Sequence, residues 1–93
     1  MEKLLNSIST RLKYIFSNTN NKYIDCQLSI IEEKLVPIKD HTIKTQELLN
    51  DECDRILNVI KFMKRVNGET NMVYKKMDEL AGYVAEIKTE YFK

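Results

Sequence analysis

The 93-residue sequence predicts an all-α fold, and three observations carry that prediction. Two Gly and one Pro leave almost nothing for the tight turns that an all-β or α/β domain of this length needs. Apolar residues recur alternately three and four positions apart along most of the chain, the spacing that keeps a stripe on one face of supercoiled helices. The phase of that stripe breaks once, at a run of turn-forming residues, which separates a short helix from a long one. A chain this small buries barely enough surface alone to offset its conformational entropy, so the helices are expected to belong to a multi-helix bundle with partners.

The short helix is predicted over residues 2–16. Leu5, Ile8, Leu12 and Ile15 form its seam, with Leu4 and Phe16 on the same side and Lys3, Arg11 and Lys13 elsewhere. This is a modest basic amphipathic helix, suited to folding back on the bundle and, as an alternative, to a membrane surface or a targeting role. The loop at 17–21 is Ser17, Asn18, Thr19, Asn20 and Asn21, residues that favour turns and caps over helix interiors. Asn20 or Asn21 then caps the next helix, which starts near Lys22.

A coiled-coil region is predicted over 22–92. Its seam runs Ile24, Leu28, Ile31, Leu35, Ile38, Thr42, Thr45, Leu49, Glu52, Ile56, Val59, Met63, Val66, Thr70, Val73, Met77, Leu80, Val84, Ile87 and Tyr91. Sixteen of these twenty are apolar or aromatic, where the overall composition would supply about nine. Pro37 lacks a backbone donor and clashes with the preceding turn, which predicts a kink or break near 37–41. Asn67 and Gly68, with Thr70 as a cap, would suit a hairpin at 67–70. The register, however, runs on unbroken from Val66 to Val73, which favours a continuous helix about 80 Å long over 38–92.

The stripe widens over 48–83, with Leu48, Phe62 and Tyr83 on one flank and Cys53, Ile60, Tyr74 and Ala81 on the other. A wide stripe needs more than one neighbouring helix to cover it. The expected partner-binding surface is therefore Ile24, Leu28, Ile31, Leu35, Leu49, Glu52, Ile56, Val59, Ile60, Phe62, Met63, Val66, Val73, Met77, Leu80, Val84 and Ile87. Thr42, Thr45 and Glu52 place polar groups in that seam, which favours unlike partner chains over copies of the same chain.

Catalytic and metal-binding signals are missing from the pattern. His41 is the sole histidine and has no assembled partner residues; it reads as a solvated flank. Cys26 and Cys53 lie far apart without metal spacing, the first read as an exposed bystander and the second as packing. Glu32 and Glu33, Asp51 and Glu52, and Asp78 and Glu79 are adjacent pairs whose side chains diverge by about 100° on a helix. No cofactor is expected.

The formal charge of +1 divides into mildly basic ends and a mildly acidic middle. That is too mixed for nucleic-acid binding through phosphate neutralisation. Lys61, Lys64, Arg65, Lys75 and Lys76 form a basic patch that could steer an acidic partner, such as the 47–54 segment of a neighbouring subunit. No apolar run is long enough to span a membrane and no secretory core follows Met1, so an intracellular location, cytoplasmic or nuclear, is expected.

The expectation is a non-enzymatic coiled-coil subunit of a heteromeric assembly. Small helical chains of this kind occur in kinetochore rings and in organelle-tethering complexes. The stretches 28–35 and 75–92 are similar to stretches in the second group, as heptad sequence generally is.

Overall fold

Local capping chemistry cuts the chain into four helices in the computed structural model, which describes residues 1–68 and 71–93. They are α1 (Glu2–Asn18), α2 (Lys22–Lys39), α3 (Gln46–Asn67) and α4 (Met72–Glu90). The first boundary falls where the turn residues predict it. Thr19 Oγ1 donates to the Ile15 carbonyl at 2.9 Å, and the Asn21 side chain accepts from the Tyr23 and Ile24 N–H groups at 2.8 and 3.1 Å.

The coiled-coil region expected over 22–92, kinked or broken near Pro37, is three helices: α2 ends within that predicted stretch, and a further division falls where a continuous helix was expected. Pro37 sits in the last turn of α2, and the chain leaves the helix just after it. His41 adopts φ +56°, the His41 N–H donates to the Ile38 carbonyl, and the Thr42 N–H donates to the Pro37 carbonyl. That pair of bonds around a left-handed residue closes the orphan carbonyls of a helix end. Thr42 and Thr45, assigned to the seam by spacing, are exposed in the loop, where Thr45 caps α3 by accepting from the Leu48 N–H at 3.2 Å.

The second correction is at Gly68. It holds φ +81°, a conformation that costs a residue with a side chain but not glycine, and its N–H donates to the Lys64 carbonyl. Asn71 then caps α4 by accepting from the Tyr74 N–H at 3.1 Å. The chain turns back here, so the hairpin replaces the continuous helix; Thr70, the expected cap, lies outside the described residues.

Successive helices run antiparallel and form a ring in which each touches its two neighbours, α1 closing against α4. The result measures 37 × 21 × 18 Å. Arg11 meets Glu79 across α1 and α4, while Asp54 meets Lys88 and Lys64 meets Asp78 across α3 and α4.

The core is apolar along all four helices, and each fully buried Leu or Ile contributes about 1.5–3 kcal/mol. Leu4, Ile8, Leu12 and Ile15 come from α1, and Ile24, Leu28, Ile31, Leu35 and Ile38 from α2. Val73, Met77, Leu80, Val84 and Ile87 come from α4, with Tyr91 just beyond it.

In α3 the buried set is Leu49, Cys53, Ile56, Ile60 and Met63. The helix is therefore rotated from the expected register: Cys53 and Ile60 point inward in place of Glu52 and Val59, and Val66 is exposed. Burying the Glu52 carboxylate would strip its water, and an apolar stripe one position away makes that unnecessary.

Candidate interaction surface

Thirteen of the residues predicted to bind partners are placed in the chain's own core: Ile24, Leu28, Ile31, Leu35, Leu49, Ile56, Ile60, Met63, Val73, Met77, Leu80, Val84 and Ile87. The seam meant for other chains is spent internally because the turns after Lys39 and Asn67 fold the helix back on itself. Glu52, Val59, Phe62 and Val66 remain at the surface or partly so.

These four join Leu48 and Arg55 in a line along α3, spaced alternately four and three apart. At 100° per residue the line lies beside the core stripe, on the side away from the ion pairs with α4 and therefore toward α2. Leu48, Phe62 and Val66 are 53%, 52% and 46% exposed, so half of each large apolar side chain faces water. Glu52 is held by Arg55 one turn on, at 2.6 Å, and the Arg65 guanidinium lies 5.7 Å from the centre of the Phe62 ring. Tyr23 is also exposed and Ile30 half-buried, on the edge of α2 that faces this line.

Two clefts lie on the other side of α2, between it and α1. One, of about 320 Å³, is lined by Leu12, Lys13, Phe16, Asp25, Leu28, Ser29 and Glu32. The second lies between the start of α1 and Ile38, Lys39 and His41. One Asp25 carboxylate oxygen is buried at the first cleft without a hydrogen-bond partner among the described residues.

The groups with chemical potential are tied up structurally. Burial pushes the Cys53 thiol up to about 11; Lys88 opposes that shift, and Asp54 and Glu52 add to it. It therefore stays protonated at neutral pH and packs as a small apolar group. Cys26 is exposed. His41 stacks on Tyr91 with ring centres 4.1 Å apart, and the Tyr91 hydroxyl accepts from the Ile43 N–H at 2.8 Å. The only histidine is thus part of a clasp that holds the α2–α3 loop to the end of α4, a role its sequence position gives no sign of.

Of the acidic pairs, Asp78 and Glu79 separate as the helix geometry requires, one toward α3 and one toward α1. Partial burial works to raise the Glu79 carboxyl, but hydrogen bonds from Arg11 and Lys76 outweigh it and hold it below the usual value. The Asp78 hydrogen bond holds the Lys64 ammonium above its usual value against partial burial. Among the described residues no cluster of His, Cys, Asp or Glu has the arrangement of a metal site, and no helix is long and apolar enough to cross a membrane.

The chain matches no family model, and neither the curated proteins nor the solved structures contain a match to it.

Proposed function

We propose that the chain is a non-enzymatic interaction module, a four-helix subunit that presents the outer face of α3 to a helical partner within a larger intracellular assembly. The observation that carries this reading is the line of exposed Leu48, Phe62 and Val66 with partly buried Val59 between them, apolar side chains beside the core at the spacing that packs one helix against another. Its architecture suits a subunit of the kinetochore, cytoskeletal or organelle-tethering kind.

The expectation of unlike partners loses its support, because Thr42, Thr45 and Glu52 all lie outside the core. Membrane binding through residues 1–16 is the weaker reading, since Leu4, Ile8, Leu12 and Ile15 are buried and would reach lipid only if the bundle opened.

A photo-crosslinking residue at position 62 tests the reading in the native cell. It should link the chain to protein, whereas the same probe at exposed Glu86 on α4 should not. Equal labelling from both positions, or none from 62, would overturn the assignment of the surface.

A further inference from the structure

The outer face of α3 carries opposite unpaired charges at its two ends. Glu47 and Asp51 lie near its start, and Lys61 and Arg65 near its finish; all four are exposed and none makes an ion pair among the described residues. The nearby Asp54 and Lys64 are already engaged with Lys88 and Asp78 on α4. On helical geometry Asp51, Asn58 and Arg65 form a row at seven-residue spacing, immediately beside the apolar line.

A face of this kind is complementary to itself when reversed. Two copies of α3 laid side by side in the same direction would place acid against acid and base against base. Laid antiparallel, with a two-fold axis between the levels of Leu57 and Asn58, they pair Leu48 with Val66 of the second copy and Arg55 with Val59, while Phe62 covers the aliphatic part of Glu52. The same arrangement brings Asp51 opposite Arg65 twice, once on each side of the axis.

We infer that the partner of this face is a second copy of the chain, docked through α3 as an antiparallel, two-fold symmetric pair. This rests on the reading of the α3 face as an interaction surface and names its occupant. Polar residues in the line do not oppose it, because Glu52 is already neutralised by Arg55 of its own helix. Tyr23 and Ile30 on the adjacent edge of α2 extend the contact beyond one helix pair. Helix α3 has 22 residues, a contact length of about 33 Å. An interface of that length falls at the small end of stable ones, and a dissociation constant on the order of micromolar is expected of it.

Sedimentation equilibrium of the full chain over about 1 to 300 µM, a range that spans such a constant, is the test. The wild type should shift from monomer to dimer across it. Asp51→Arg and Arg65→Asp should each weaken self-association about tenfold or more, since each sets like charges together at two places. An equimolar mixture of the two variants should associate again, because every facing pair is then opposite in charge. Phe62→Ser should give a monomer with the wild-type circular dichroism and melting temperature, showing that the loss is not one of folding.

A wild type that stays monomeric throughout, or variants that fail to associate when mixed, would overturn the antiparallel pair. If the wild type is monomeric while position 62 still crosslinks to a different chain, self-pairing falls and the interaction surface stands. If neither occurs, both fall.

Discussion

Helix α4 is tied to both of its neighbours by charge as well as by apolar contact, whereas α2 is held by apolar contact alone. Arg11 reaches Glu79 at 3.1 Å and lies over the Tyr83 ring, Lys64 bonds Asp78 and lies over Tyr74, and Lys88 bonds Asp54. Among the described residues no ion pair joins α2 to α1 or α3. Both clefts described above border α2, the unpartnered Asp25 oxygen belongs to it, and the exposed line on α3 runs along its far edge. The difference is one of polar ties, since clefts also lie between α4 and each of its neighbours. The side without those ties borders the exposed apolar line of α3, where a second molecule has surface to cover.

Substitutions in the two helices should separate most in the core. Leu80→Ala, in the tightly bound α4, should cost about 4 kcal/mol, because its surroundings cannot collapse into the cavity. Leu28→Ala in α2 should cost about 2.5 kcal/mol, since a helix without polar ties can shift inward. Equal losses in urea unfolding would mean that α2 is fixed as firmly as α4 and would remove the contrast.

Tyr91 anchors the α2–α3 loop from the α4 side, and Tyr91→Phe keeps the His41 stacking while orphaning the Ile43 N–H. The expected loss is about 1 kcal/mol. Denaturation midpoints would show it, and no change would mean that water replaces the bond without cost.

Acid should loosen the α1–α4 side. A carboxyl held below its usual value binds fewer protons folded than unfolded, so its contribution is present above the unfolded value of 4.5 and is lost as pH falls through the folded one. Melting temperatures should therefore decline below about pH 4.5, and Glu79→Gln should flatten part of that decline. An unchanged acid limb in this variant would show that the pair with Arg11 contributes nothing to stability. The smallest effect is expected for Asp54→Ala, whose exposed bond to Lys88 should be worth under about 0.5 kcal/mol in the same unfolding measurement.

Much of this fold was legible in the chain. The α2 and α4 seams are buried as their spacing predicts, and the first break falls within the Asn-rich run, after Asn18 rather than Phe16, with Asn21 as the cap. Two features were misread for physical reasons. The stripe of α3 is wide enough to offer two core registers, Glu52 with Val59 or Cys53 with Ile60, and periodicity cannot rank them; the cost of desolvating a carboxylate does. Asn67 and Gly68 carried the chemistry of a helix end, but the apparent seam ran on from Val66 to Val73 by coincidence: Val66 is exposed, and the buried stripe of α3 follows a different register from that of α4. Of the candidate surface, Phe62 and Val66 were marked as apolar contacts, while the row of Asp51 and Arg65 became visible only once the inner face of α3 was known.

Helices α1 and α3 stand at opposite corners of the ring, and their backbones do not come close among the described residues. Both depend on α4, the last of the four to be synthesised, for their closest packing, and the Tyr91 clasp that fixes the middle loop is later still. A nascent chain that has released only its first three helices therefore holds three apolar stripes and no closed interior. Such an intermediate is vulnerable to chaperones, proteases and neighbouring nascent chains until residue 91 has left the ribosome.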